Sequence, residues 1–315
     1  MMAILGAGGW AYAQEKIVFR VSSEINLDID PNPAMVYWKG LVERETNGRV
    51  EVRLIHSAQL FDDDAALDAV ASGAFEAVTT PTSRLTGFSK DYEVLDLPFV
   101  FKDAGDFRGK LTGPLGAVLD KSLQKAGMRV VTFWAGGPIV ILNNEGKLQG
   151  PEDWRGKKIR LFGGSVYEAT VEAVGGRPMA LPASEVPTAM QVGTIDAIVT
   201  NWDGWLYFID LVDYGMDPGG WYLAFAFVVN ADFWGNLPAD IRVIMERTLK
   251  EATERDWDEK EELVAQQIQK IRDHGGKTPY EIEPAARAAW VEASEEVRQR
   301  FSSSIDPEVF GIATR

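Results

Sequence analysis

Residues 155–165, RGKKIRLFGGS, decide the fold class, because they predict a buried strand that leads through a glycine pair into a helix. Ile159, Leu161 and Phe162 are the apolar positions of that strand. Arg160 conflicts with the pattern, since arginine is rarely buried without a partner. The segment therefore predicts a βα unit and a charged side chain whose partner has to be identified.

The same alternation of strands and helices continues along the chain. Strands are predicted at 17–22, 50–55, 75–80, 129–134, 139–143, 158–162, 195–200 and 223–230. Helices are predicted at about 35–47, 62–72, 165–174, 184–191 and 238–273. This spacing is typical of βαβ units, in which ligands bind beyond the carboxyl ends of the strands. A length of 315 residues, 46% of them hydrophobic, favours two domains.

The composition excludes several classes of function. A net charge of −15 repels phosphate backbones and anionic lipids, so no nucleic acid is expected as a partner. With no cysteine and two histidines, the chain has no disulfide, no thiol nucleophile and no His/Cys zinc cluster. Asp28, Asp30 and Asn32 have calcium-loop spacing, but Pro33 replaces the required glycine and Lys39 the required glutamate. We predict neither a metal nor a cofactor.

The first residues, MMAILGAGGWAYAQEK, combine a short apolar stretch with a small-x-small pattern at Ala11-Tyr12-Ala13. This pattern predicts that residues 1–13 are what remains of a signal peptide, with cleavage after Ala13. A buried strand or a disordered tail is the alternative. The favoured interpretation is that the protein is exported. After this segment, the sequence has no apolar stretch long enough to span a bilayer.

Arg160 lies near the carboxyl end of its strand, at the sheet edge where open α/β folds bind ligands. A guanidinium group binds a carboxylate through two parallel hydrogen bonds, and the helix that follows adds backbone donors. The partner of Arg160 is therefore either a ligand carboxylate or one of the chain's 47 acids. Position alone leaves both possibilities open.

Several longer sequence segments resemble those of a known protein family. The segments in question are PEDWRGKKIR (151–160), GGRPMALPASEVPTAMQVGTIDAIV (175–199), ETNGRVEVRLIHSAQL (45–60), DAVASGAFEAV (68–78), LDLPFVF (95–101) and VVNADFWGNLPADIR (228–242). In this order they resemble the solute-binding subunits of TRAP (tripartite ATP-independent periplasmic) transporters of the DctP type.

The resemblance implies an α/β, two-lobed periplasmic-binding-protein fold, with a mostly parallel sheet in each lobe and a long helix that spans both. Lobe I would contain 15–136 and 223–262, and lobe II would contain 137–222 and 263–315. The implied function is a monomeric, non-enzymatic, periplasmic receptor that captures a small organic acid in the interlobe cleft. Its partners would be the membrane permease subunits of a sodium-coupled transporter.

The resemblance also assigns roles to residues. Arg160 would bind the ligand carboxylate, Asn201 or Thr200 would make a second contact, and Trp202 would form a wall. Many members have a second arginine where this chain has Ile139. Its loss favours a monocarboxylate with an apolar body, held between Trp134, Phe162 and Trp202.

Contacts from lobe I follow from strand ends alone. Ser23 and Glu24 come after the first strand, and Thr80 and Thr82 after the third, so all four are expected near the cleft. A secreted glycoside hydrolase that uses a carboxylate pair and aromatic platforms is the alternative function.

Overall fold

The computed structural model describes residues 16–315, so the predicted signal-peptide segment lies outside the described residues. The strands are β1 (Ile17–Ser23), β2 (Val50–Ile55), β3 (Ala77–Pro81), β4 (Met128–Asn143), β5 (Lys158–Leu161), β6 (Arg177–Ala180), β7 (Ala197–Asn201), β8 (Tyr214–Asp217), β9 (Tyr222–Asn230) and β10 (Thr278–Glu281).

The helices are α1 (Asn32–Glu45), α2 (Asp63–Ala71), α3 (Glu93–Asp96), α4 (Ala104–Leu111), α5 (Pro114–Leu123), α6 (Ser165–Ala173), α7 (Val186–Gln191), α8 (Trp202–Tyr207), α9 (Ala231–Gly235), α10 (Ala239–Asp273), α11 (Pro284–Ala293), α12 (Glu295–Ser302) and α13 (Pro307–Thr314). Among residues 16–315, no helix combines the length and the apolar character needed to cross a bilayer.

The strands form two sheets that share β4. The first has the order β2-β1-β3-β9-β4, and in it only β9 runs antiparallel to its neighbours. The second contains β6-β5-β7-β4-β8-β10, and in it β4 runs antiparallel to β7 and β8. Two mostly parallel sheets with flanking helices confirm the predicted two-lobed α/β fold, and we call the parts around them lobe I and lobe II.

Strand β4 differs from the sequence prediction of two strands at 129–134 and 139–143. Its first half pairs with β9 and its second half with β7 and β8, and the pairing shifts register between Ala135 and Gly137. A bulge of this kind bends a strand without ending it. Gly137 has a φ of 81°, which a side chain would strain, so a glycine allows the chain to pass from one lobe to the other here.

Helix α10 contacts α1 and β4 and also α8 and β10, so it lies against both lobes, as predicted. At the carboxyl end of the chain, α13 contacts α5 and α3, and Val309 and Ala313 belong to the apolar core of lobe I. The lobe boundaries stay a prediction. We propose to move the last helix, α13, from lobe II to lobe I on the basis of these contacts.

Candidate functional site

A cavity lies between the lobes at the carboxyl ends of β1, β3, β5 and β7. Its lining includes Ser23, Glu24, Ile25, Ile29, Asp30, Pro31, Asp63, Thr79, Pro81, Arg84, Arg160, Phe162, Ala183, Thr200, Asn201, Gly204, Tyr207, Phe208, Leu223 and Phe225. Its volume is about 60 Å³. A buried water needs about 10–15 Å³ on this measure, so the cavity has room for about four to six waters or for a small organic molecule.

Arg160 is 3% exposed at the lobe II side of this cavity. Its Nε donates to the carbonyl of Leu181 at 3.0 Å, and its guanidinium lies 5.2 Å from the ring centre of Phe162. No carboxylate of residues 16–315 lies within 4 Å to form an ion pair with it. Burial lowers the pKa of Arg160 to about 10, so the group keeps its positive charge at neutral pH.

Three residues with carboxyl groups line the cavity from lobe I, namely Glu24, Asp30 and Asp63. Glu24 accepts a hydrogen bond from the backbone N–H of Ala183 in lobe II at 2.7 Å, so it joins the lobes. Asp63 is 6% exposed, and burial followed by repulsion from Glu24 raises its pKa well above the usual range. A protonated Asp63 can donate a hydrogen bond to a ligand.

Arg84 places a second guanidinium in the lining. It lies in the short 3-10 segment after β3, and its Nη1 donates to Asp64 at 2.9 Å. Its buried Nε has no hydrogen-bond partner among the described residues. The guanidinium approaches Gly163 of lobe II, where an added Cβ would lie 3.3 Å from Nη1. Repulsion from Arg84 is one of the causes that lower the pKa of Arg160.

Hydroxyl groups complete the polar part of the lining. The side-chain oxygens of Ser23 and Thr79 are buried and have no partner within the described part of the chain. Unpaired buried hydroxyls cost free energy, which a ligand can recover by bonding to them.

Asn201 lines the cavity, but both polar atoms of its amide are already bonded. Nδ2 donates to the carbonyl of Gly136 at 2.7 Å, and Oδ1 accepts from the backbone N–H of Gly204 at 2.8 Å. The residue thereby connects β4 to the start of α8. Thr200 also lies in the lining, beside Gly204.

Four predicted site residues do not line the cavity. Trp134 is fully buried and stacks on Phe227 in a core shared with other aromatic residues, at 6.2 Å between ring centres. Trp202 stacks on Trp205 in a lobe II cluster. Thr80 and Thr82 are buried outside the lining. Thr80 lies in β3 between the lining residues Thr79 and Pro81, so its side chain points to the opposite face, and Thr82 begins the 3-10 segment. We correct their assignment to structural positions.

The glycine pair after β5 also differs from its predicted role. The start of α6 faces lobe I: Ser165 Oγ donates to Glu93 at 2.8 Å, and an added Cβ on Gly164 would lie 3.4 Å from Asp96 Oδ2. Buried acids of lobe I, not a ligand carboxylate, therefore cover this helix terminus.

The remaining predicted residues, Ser23, Glu24, Phe162 and Thr200, do lie in the lining together with Arg160 and Asn201. The sequence prediction did not identify Arg84 or Asp63. Arg84 could have been noticed because it lies three residues after the end of β3, and Asp63 because it lies in the first turn of α2.

The model of the family of bacterial extracellular solute-binding proteins, family 7 (DctP), matches residues 31–304. The chain belongs to this family. The C4-dicarboxylate-binding periplasmic protein DctP of Rhodobacter capsulatus is similar to it, with 28% identity over 297 residues that cover 93% of this chain and 89% of that protein. DctP of Vibrio cholerae is 27% identical over 302 residues, covering 95% and 90%.

Solved structures give the same result. A TRAP periplasmic solute-binding protein from Shewanella oneidensis, with bound succinate, matches with a TM-score of 0.90 and 25% identity over 95% of this chain and 98% of that one. A protein from Sulfitobacter sp. NAS-14.1 with bound β-D-galacturonate shares the fold at a TM-score of 0.86 and 20% identity, over 94% and 98%.

Family membership makes this protein a periplasmic solute-binding receptor of a TRAP transporter, which works with membrane subunits and is not an enzyme. It confirms the predicted receptor and its location, and it does not favour the glycoside hydrolase. The monomeric state and the absence of nucleic-acid binding stay predictions.

Proposed function

We propose that this receptor captures a small organic acid whose carboxylate binds Arg160 in the interlobe cavity. The observation that carries the proposal is a buried guanidinium with no carboxylate partner within 4 Å among the described residues. Glu24 and Asp63 attract this charge without forming an ion pair with it. A buried charge that lacks a hydrogen-bonded carboxylate is costly, and a ligand carboxylate lowers that cost through two charge-assisted hydrogen bonds.

We further propose that the acid carries a second carboxylate. The prediction of a monocarboxylate ligand assumed that Arg160 is the only arginine in the cleft. Arg84 also lies in the cavity lining, which contradicts that assumption. Arg84 belongs to lobe I and Arg160 to lobe II, so a ligand with an anionic group at each end would contact both lobes and favour closure. C4-dicarboxylate binding by the relative from Rhodobacter capsulatus supports the same class.

A thermal-shift panel tests this function directly. Succinate, fumarate and L-malate should each be compared with butyrate, which has the same chain length and one carboxylate. We expect the dicarboxylates to raise the unfolding temperature and butyrate to have a smaller effect. Native mass spectrometry of gently purified protein would then detect a retained acid by its mass. No stabilisation by any mono- or dicarboxylate would contradict the proposal.

Arg84→Gln should reduce the affinity for succinate by about 10-fold to 100-fold, because one charge-assisted hydrogen bond at a partly exposed site is lost. The affinity for butyrate should change little, since that ligand has no second carboxylate. Isothermal titration calorimetry of both ligands measures the difference. Arg242→Gln, at an arginine on α10 outside the lining, is the matched control. An unchanged preference for succinate over butyrate would contradict this role of Arg84.

A further inference from the structure

A buried ionic cluster joins the two lobes at the edge of the ligand cavity, whose lining includes Asp30. The backbone N–H of Asp30 donates to Asp203 Oδ2 at 2.6 Å, and Asp30 Oδ2 accepts from Lys260 Nζ at 2.7 Å. The side chains of Asp30 and Lys260 are only 8% and 9% exposed. These contacts are shielded from water, so they are stronger than a surface ion pair.

The three residues come from three different parts of the fold. Asp30 lies in the loop after β1 in lobe I, Asp203 in α8 of lobe II, and Lys260 on α10, which contacts both lobes. The bond from Asp30 to Asp203 therefore exists only while the lobes are together. The proposed capture of a ligand needs this closed arrangement. Asp30 also lines the cavity, but its hydrogen-bond partners are Asp203 and Lys260 and not Arg160 or Arg84.

The cluster contains more acids than bases. The charged groups that act on Asp203 are Asp28 and Asp30 from the loop and Lys260 from α10. Asp256, also on α10, acts on Lys260 and accepts from the backbone N–H of Ala135 at 2.6 Å. One lysine thus faces three buried carboxyl groups, and Glu259 of α10 adds a further negative charge near Asp256.

We propose that Asp30, Asp203 and Lys260 form a latch of the closed state, and that Asp203 takes up a proton as the lobes close. Three carboxylates cannot remain charged around one ammonium group in a dry site without a large desolvation cost. A proton on one of them reduces this cost, and Asp203 is the one that closure brings to the cluster.

The direction of the pH effect follows from the two states. In the closed state, burial and then repulsion from Asp30 raise the pKa of Asp203 to about 7. In the open state its carboxyl group leaves Asp30 and regains water, so its pKa returns toward about 4. Because the closed state binds the proton more tightly, acid favours closure. The gain develops as the pH falls below 7, and between pH 8 and pH 6 the closure equilibrium shifts by about tenfold.

Disulfide trapping tests the proposal without any ligand, because the chain has no cysteine of its own. A Cβ added at Gly164 of lobe II would lie 3.2 Å from the Cβ of Ser83 of lobe I. This is slightly shorter than the roughly 3.5–4.5 Å of disulfides. Gly164 has a φ of 101°, which a cysteine would strain, so circular dichroism of the reduced double variant first checks that it folds. The variant Ser83→Cys/Gly164→Cys, treated with diamide, is therefore trapped at a rate proportional to the closed fraction, even when closure is rare.

The trapping rate is measured at pH 6 and pH 8 with and without the added substitution Asp203→Asn. At each pH, the rate with Asp203 is divided by the rate of the Asp203→Asn variant, which cancels the effect of thiol ionisation on both rates. We expect the rate with Asp203, relative to the rate with asparagine, to increase about tenfold from pH 8 to pH 6. Asp256→Asn in the same background is the matched control. Burial raises the pKa of Asp256 to about 7 as well, but Asp256 and its partner Ala135 do not belong to opposite lobes, so the increase should be retained.

A relative rate that is constant within twofold would overturn the proposal. If circular dichroism shows that the asparagine variant is unfolded, Asp203→Ser replaces it, since serine cannot titrate in this range either. Failure of the ligand panel would leave this result unaffected, so the latch and the proposed ligand are tested separately.

Discussion

Arg160→Gln is expected to weaken binding of the organic acid by about 30-fold to several thousandfold. Loss of one partner from a buried, hydrogen-bonded charge pair costs about 2–5 kcal/mol, and each 1.4 kcal/mol is about tenfold in affinity. Calorimetric titration with the best acid of the panel measures the change. Arg160→Lys is the matched control: it keeps the charge but loses the planar fork, so its affinity should lie between those of the wild type and the glutamine variant.

The stability of the ligand-free protein distinguishes this role from a structural one. Arg160 is 3% exposed, and its recorded side-chain hydrogen bond goes to the carbonyl of Leu181. Desolvation outweighs the attraction of Arg160 to Glu24 and Asp63, so removing the charge should leave the free energy of unfolding unchanged or raise it. A structural ion pair predicts the opposite, a loss of about 3–5 kcal/mol. Normal binding combined with reduced stability would therefore assign Arg160 to the scaffold.

The position of Arg160 could be predicted because it needs only local information. Strand periodicity places it in β5, and parallel pairing with β7 places the ends of these two strands at the same edge of the lobe II sheet. The strand-end rule also selected Ser23 and Glu24, which lie in the cavity lining, and the family resemblance selected Thr200, which lies there too. Residues at some strand ends are positioned by the backbone, and a single sequence identified Arg160, Ser23 and Glu24 but also selected Thr80 and Thr82, which lie outside the lining.

Arg84 and Asp63 could not be found in this way. Arg84 reaches the cavity because a 3-10 segment reverses the chain after β3, and the strand-end rule had selected Thr80 and Thr82 instead. Asp63 looks like an ordinary acid in the first turn of α2, one of 47 in the chain. Its raised pKa depends on burial and on Glu24, which only the folded structure brings near.

The break predicted between residues 134 and 139 has a different cause. Gly136-Gly137-Pro138 has the composition of a loop, and local propensity favours a turn there. In the fold these residues form the bulge at which β4 passes from one sheet to the other. Proline and glycine are tolerated at bulges, so tertiary pairing outweighs the local preference.

Trp134→Ala is expected to destabilise the protein by about 3–5 kcal/mol, because it leaves a large cavity in a packed core. Trp134 is fully buried and stacks on Phe227, which also contacts Trp38. Chemical denaturation followed by far-ultraviolet circular dichroism measures the loss, which should lower the unfolding temperature by on the order of 10 °C.

Trp134→Phe separates packing from ligand contact. Phenylalanine keeps most of the apolar volume, and it removes an indole N–H that is buried without a hydrogen-bond partner among the described residues. This variant should cost less than about 1.5 kcal/mol. Because Trp134 lies outside the cavity lining, both variants should still be stabilised by the organic acid when folded. A variant with wild-type stability that the organic acid does not stabilise would show that Trp134 contacts the ligand, as the sequence analysis predicted. Only a direct contact removes binding without loosening the core.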